Sequence, residues 1–278
     1  MNQNTESVRR VFVLVRGLYT SASGMLVAQQ LADTVANNLA NVDTNGFKQT
    51  LLEIQSAPTL DIYRLQTDPG PRTGKNALPG VPVAAHVGQL GTGAWIYDTP
   101  ETFAQGPLQA TGNPYDLALG GTNAFFNVQT AQGVRYTRDG QFTVNANGYL
   151  VTTDGNNVLG QNGPIQVQQQ LGAVTVGPDG TVSQNGITID RLALTRFNNL
   201  VDLRKQGNNL FVNTGNAQPQ ATAGATVIQG SLEKSNANVV RSMVDLIVAE
   251  RWFDSNSKSV KMQDQATQLA IQDVGTTA

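Results

Sequence analysis

Two helical periodicities, one at each end of the chain, constrain this sequence more than any other feature. From about 17 to 42, Leu18, Ala22, Met25, Gln29, Ala32, Ala36 and Leu39 recur at alternating spacings of four and three. That is a heptad seam, the pattern of a helix packed along one stripe against another helix. Leu26, Leu31 and Val35 widen it, and its alanines permit close approach. Gln29 costs stability but fixes register, and Gly24 costs about 1 kcal/mol relative to alanine. From about 237 to 272 the helical period returns. Val239, Val240, Met243, Leu246, Ile247, Phe253, Val260, Ala266 and Leu269 form a broad stripe, which Asn256, Ser257 and Gln263 interrupt. Ser235 or Asn236 is the expected N-cap. Such a helix spans roughly 50 Å at about 1.5 Å per residue, more than a small β domain covers. The simplest burial of both stripes is against each other, as an antiparallel coiled coil, and then against neighbouring molecules. An ordinary amphipathic core helix is the other reading of the first pattern.

Between the helices the pattern is β. From about 93 to 230, short apolar runs such as Phe125-Phe126-Asn127-Val128 and Gln141-Phe142-Thr143-Val144 alternate with turns. The turns are Asp139-Gly140, Asn147-Gly148, Asp154-Gly155, Asn162-Gly163, Asp179-Gly180 and Asn185-Gly186. Asx-Gly pairs favour tight hairpins that match strand twist. Residues 55–92 hold Asp68-Pro69-Gly70-Pro71 and Leu78-Pro79-Gly80-Val81-Pro82, with neither period sustained, and read as an extended loop or linker. The expected organisation is a disordered extension over 1–14, an N-terminal helix and turn over 15–54, the linker over 55–92, a mainly β central domain over 93–230, and a C-terminal helix over 231–278. Asn45-Gly46 supplies the turn after the first helix.

Composition narrows the function. The chain is 14% charged, against roughly 25% in typical soluble domains. With a net charge of −2 there is little repulsion between copies, which favours self-association, and no basic stripe for nucleic acid. Cysteine is absent, so disulfides and thiolate metal sites are excluded. The apolar stretch Val11-Phe12-Val13-Leu14-Val15 ends at Arg16, too short for a secretory signal or a membrane helix.

Catalytic sets are hard to find. His86 is the single histidine and has no acid beside it in sequence, so an exposed loop position is expected for it. Asp116, Asp139, Asp154 and Asp179 are scattered, and turn geometry accounts for the last three. Asp154-Gly155-Asn156-Asn157 lacks the alternating ligands and terminal Glu of a calcium loop. Gly91-Thr92-Gly93 lacks the rest of a dinucleotide fingerprint. Trp95 and Trp252 read as packing residues rather than a sugar platform. No cofactor or metal is expected, and no enzymatic activity.

Three stretches resemble the flagellar basal-body rod and hook family. The first is Gly17-Leu18-Tyr19-Thr20-Ser21-Ala22-Ser23-Gly24-Met25, continuing to Asn37-Asn38-Leu39-Ala40-Asn41-Val42-Asp43-Thr44-Asn45-Gly46-Phe47-Lys48. The second is Gln105-Gly106-Pro107-Leu108-Gln109-Ala110-Thr111-Gly112-Asn113 with Asp116-Leu117-Ala118-Leu119, followed by Tyr136-Thr137-Arg138-Asp139-Gly140-Gln141-Phe142. The third is Gly230-Ser231-Leu232-Glu233-Lys234-Ser235-Asn236-Ala237-Asn238-Val239-Val240. Residues 1–14 have no counterpart in the family, and Ala237 replaces a more usual Val. The resemblance implies a structural rod subunit, proximal or distal, exported through the flagellar type III apparatus without a cleaved signal. It implies a hollow, periplasm-spanning rod assembled from copies of the chain and other rod and hook subunits. The expected assembly interface is Leu18, Ala22, Met25, Gln29, Ala32, Ala36, Leu39, Val239, Met243, Leu246, Ile247, Phe253 and Val260. A secreted β-domain adhesin or carbohydrate-binding module is the alternative, although such a protein does not require the paired helices.

Overall fold

The computed structural model describes residues 3–64, 85–168, 172–215, 219–221 and 225–276. Helix α1 runs Gln3–Ala40 and helix α2 runs Val239–Thr276. The helix begins at Gln3, inside the stretch 1–14 for which the sequence suggests disorder. The sequence has no Pro or Gly between Gln3 and Gly17 to stop it. At its other end the Asn41 side chain bonds back to the Asn37 carbonyl at 2.9 Å, and Gly46 turns the chain with φ +66°. Helix α2 is capped by Asn238, not by Ser235 or Asn236. The Asn238 Oδ1 accepts from the Arg241 amide at 3.0 Å, which satisfies one of the orphan donors of the first turn.

The chain forms two compact units. One comprises Met1–Asp33, Leu52–Asp98 and Leu246–Ala278. Within it α1 and α2 run antiparallel: Gly17 meets Gln263, Ser21 bonds Ser259 at 3.1 Å, and Gly24 meets Asn256. Two antiparallel ribbons share this unit. Glu53–Ser56 pairs with Ala94–Asp98, and Leu60–Arg64 pairs with Ala85–Leu90. The loop expected over 55–92 is therefore partly strand, built from the Pro-free flanks of that segment. His86 lies in a strand opposite Tyr63, not in a loop. The two Pro-Gly runs lie outside the described residues. Trp95, expected to pack, stands 53% exposed on this two-stranded ribbon, edge-on to the ring of Tyr97 at 6.5 Å.

The second unit, Thr34–Leu51 with Thr99–Asp245, holds the β domain. Among the described residues its largest sheet has ten strands. The strand Ala124–Thr130 lies at its centre, pairing with Gly133–Thr137, Asn157–Gly160 and Leu194–Arg196. Period-two alternation explains why this strand is central. Phe126 and Val128 enter one core with Phe142, Leu150 and Val158, while Phe125 enters another with Phe103, Phe197, Leu203 and Phe211. Both faces are buried. A three-stranded sheet, Val174–Val176, Thr181–Gln184 and Ile187–Arg191, adds Val174, Val176 and Val182 to the first core. Gly148, Gly155, Gly163, Gly180 and Gly186 take positive φ, as their Asx-Gly turns require. Gly140 does not. A Cβ there would lie 1.6 Å from the Leu117 carbonyl oxygen, so close backbone approach fixes this glycine.

Candidate assembly site

The helix pair is heptad-spaced, but its phase differs from the one the apolar residues suggest. Gly17, Ser21 and Gly24 face α2, and Ala28 continues this row fully buried. On α2 the matching row is Ala249, Asn256 and Gln263, each seven residues apart. The observed row on α1 sits one residue before Leu18, Ala22 and Met25, a rotation of roughly 100° about the helix axis. Small and polar side chains thus fill the internal seam. The side-chain amides of Asn256 and Gln263 lie over the two glycines, where any Cβ would come within 2.9 Å.

That phase leaves the apolar residues on the outside. Of the expected interface residues, Leu18, Gln29, Ala36, Val239, Met243, Ile247 and Phe253 are exposed. Ala22, Met25, Ala32, Leu39, Leu246 and Val260 are half-buried flanks. Several residues missing from that expectation are more exposed: Tyr19 at 67%, Leu26 at 68% and Val240 at 71%, with Val244, Trp252 and Met262 beside them in exposure. Leu26, which the heptad pattern places at the edge of the seam, is among the most exposed. Exposed apolar side chains thus recur along both helices.

In the second unit, three charged residues distant in sequence meet with fully buried side chains. Lys48 Nζ lies 2.5 Å from Glu233 Oε1, and Arg138 Nη1 lies 3.1 Å from Glu233 Oε2. The Gly106 amide also donates to Glu233 Oε1 at 2.9 Å. Lys48 donates further to the Ala104 carbonyl at 2.8 Å, and Arg138 to the Gly121 carbonyl at 2.7 Å. The Arg138 guanidinium also sits 5.2 Å from the Phe125 ring centroid. Burial pulls both Lys48 and Arg138 below their ordinary pKa values, and the Glu233 carboxylate opposes the fall in each case. Two cations sharing one anion leave a net positive charge inside the fold. Around this cluster the Gly46 amide donates to the Glu233 carbonyl at 2.7 Å, and Asn236 Oδ1 accepts from the Gln49 amide at 2.8 Å.

Three of the scattered carboxylates, Asp116, Asp139 and Asp179, have structural partners. Buried Asp116 accepts from Thr111 Oγ1 at 2.7 Å and Asn113 Nδ2 at 3.0 Å. Asp139 accepts from the Gln141 amide at 3.0 Å, and burial pushes its pKa up to about 6. Asp179 accepts from Thr181 and is held below its ordinary pKa by those bonds. Among the described residues no group of His, Asp or Glu side chains is placed to hold a metal ion.

Three family models match the chain: "Flagella basal body rod protein" over residues 18–48, "Flagellar hook protein FlgE/F/G D1 domain" over 121–184, and "Flagellar basal body rod FlgEFG protein C-terminal" over 228–273. The flagellar basal-body rod protein FlgF of Caulobacter vibrioides is 37% identical over 93% of this chain and 97% of its own length. The chain belongs to the flagellar basal-body rod protein family. The rod proteins FlgG of Borreliella burgdorferi and of Bacillus subtilis are 33% and 32% identical, each across 98% of its own length and more than nine-tenths of this chain. The protein is a structural subunit of the flagellar basal-body rod, not an enzyme. Lys48, Arg138 and Glu233 fall one in each of the three matched segments, so the buried cluster joins all three. No described helix is long and apolar enough to cross a membrane.

Proposed function

We propose that this rod subunit polymerises with copies of itself, and with other rod and hook subunits, through the outward faces of α1 and α2. The observation that carries this reading is the division of labour along the helices. Small and polar residues occupy the internal seam, while Tyr19, Leu26, Val240 and Ile247 are left to water. Burying such side chains against a neighbour contributes roughly 1.5–3 kcal/mol each, a drive that repeats at every subunit added. A chain whose apolar patch meets a different patch on the next copy makes a heterologous contact, which generates an open helical filament. In this reading the polymer is the hollow shaft that crosses the periplasm, and its subunits leave through the flagellar type III export apparatus without a cleaved signal. The test is Leu26→Asp in the full-length chain. The variant should be made and folded, be absent from purified basal bodies, and leave cells without rods beyond the point where this subunit enters. Normal rods containing the variant would overturn the assignment of this face.

A further inference from the structure

The buried charge cluster has a direction. Glu233 keeps partners if Lys48 is withdrawn: Arg138 remains on Oε2, the Gly106 amide remains on Oε1, and the strand Ser231–Glu233 stays paired with Leu108–Ala110. The reverse does not hold. Without the Glu233 carboxylate, the Lys48 ammonium would be a buried cation facing a second buried cation, with the Ala104 carbonyl as its remaining bonded partner. An unpaired charge does not stay in such an environment: the lysine leaves it or gives up its proton, and either way the ion pair that holds the turn is lost. The turn that carries Lys48 is also tied to the same C-terminal stretch through backbone and side chains. The Gly46 amide meets the Glu233 carbonyl, the Gln49 amide meets Asn236 Oδ1, and Lys234 Nζ donates to the Asp43 carbonyl and to Asn45 Oδ1, both at 3.1 Å.

We propose that Lys48, Arg138 and Glu233 form a one-way clasp, which makes ordering of the turn 41–50 conditional on docking of the C-terminal segment 231–236. The β domain receives Glu233 on Arg138 first, and Lys48 closes onto Glu233 second. Lys48 and Glu233 are 185 positions apart, and the chain is made from its N-terminus. The turn therefore stays open until nearly the whole chain exists. The base of α1 keeps its bonds from Asn38 to Thr50 throughout, but the turn beyond it gains its partners at Glu233 and Asn236 only in complete subunits, so truncated chains lack a fully ordered end with which to join a polymer. Glu233 is a positioning residue in this scheme, which rests on the assembly reading for its purpose but not for its test.

Amide exchange on full-length free subunits decides it, with Glu233→Gln and Lys48→Met compared with the unaltered chain. Glu233→Gln keeps the shape but cannot balance two cations. It should cost residues 42–50 about 100-fold or more in protection, while the central strands Ala124–Thr130 and Gly133–Thr137 keep theirs. Lys48→Met should loosen the turn and leave Ser231–Glu233 protected. Protection of 42–50 within about threefold of the unaltered chain in Glu233→Gln would overturn the clasp. So would loss of protection at Ser231–Glu233 in Lys48→Met. If Glu233→Gln fails to fold, the Lys48→Met comparison decides alone. Incorporation into basal bodies is scored separately, so an unaltered chain missing from rods would sink the assembly reading and leave the clasp standing.

Discussion

Gly24 of α1 lies against the side-chain amide of Asn256 on α2: a Cβ at position 24 would stand 2.8 Å from Nδ2 and 2.9 Å from Oδ1. The amide is not free to swing aside, because Nδ2 donates to the Trp252 carbonyl at 2.9 Å. Glycine here costs helix propensity and is retained for the close approach. Gly24→Val should therefore destabilise the helix pair by about 1–3 kcal/mol through overpacking, although valine is the better helix former. Combining it with Asn256→Ala should recover most of the loss. Thermal unfolding followed by helical circular dichroism reads both. A raised melting temperature for Gly24→Val alone would contradict the packing.

Buried and exposed positions on α1 should separate stability from assembly. Ala28 is fully buried and Leu26 is mostly exposed. Ala28→Asp should cost several kcal/mol, since it forces a carboxylate into a fully buried position. Leu26→Asp should change the free subunit by less than about 0.5 kcal/mol, as surface substitutions do. Urea titration of both variants checks the contrast. Equal destabilisation would mean that Leu26 packs within the subunit.

Asn38 and Thr50 exchange two hydrogen bonds: Asn38 Nδ2 donates to the Thr50 carbonyl at 2.8 Å, and the Thr50 amide donates to Asn38 Oδ1 at 2.9 Å. The side chain acts as a strand partner for the backbone that follows the turn. Asn38→Leu should cost about 2 kcal/mol by leaving both backbone groups unpaired. The urea midpoint measures this, and an unchanged midpoint would contradict it.

Asp139 gives the β domain a defined pH response. Its folded pKa is pushed up to about 6 from an ordinary 3.8, first by burial and then by the charges of Asp154 and Asp116, against the bond from the Gln141 amide. A raised carboxylate means that the folded state holds the proton more tightly than the unfolded chain. Its contribution to stability is complete below pH 3.8 and is lost as pH rises through about 6. Asp139→Asn should therefore be more stable than the parent at pH 7.5 by about 1–3 kcal/mol, with the gap closing toward pH 4. Chemical denaturation of both proteins at several pH values measures the gap; one that stays constant with pH would show that Asp139 titrates normally.

The sequence made the period of the helices legible but not their phase. Leu18, Met25 and Leu39 were read as the seam because apolar residues ordinarily turn inward. That assumption fails here: Leu18 is exposed and Met25 and Leu39 are only half-buried, while Gly17, Ser21, Gly24 and Ala28 make the internal contact instead. The alternation in Phe125-Phe126-Asn127-Val128 located the central strand. Nothing local announced that both of its faces are covered, because that depends on strands far away in sequence. Asp139-Gly140 looked like a hairpin turn, yet Gly140 is fixed by the Leu117 carbonyl and Asp139 by burial. The charged cluster was invisible for the same reason: Lys48, Arg138 and Glu233 are far apart in sequence, and each reads singly as an ordinary surface charge. A lysine, an arginine and a glutamate lying one in each of three family-like stretches was the one available signal.

The chain has no cysteine, so single cysteines report contacts between subunits without background. The most direct test places one at Leu26, one at Val240 and, as a control, one at the exposed β-domain residue Ile187, each in an otherwise unaltered chain. Purified basal bodies would be labelled at the thiol with a short photo-activated crosslinker, which joins to whatever side chain lies beside it, and the products resolved by size. Assembly through the outward helix faces predicts subunit-to-subunit products from Leu26→Cys and Val240→Cys, and little from Ile187→Cys. Crosslinking confined to Ile187→Cys, with both helix positions open to a small thiol reagent in intact rods, would contradict it.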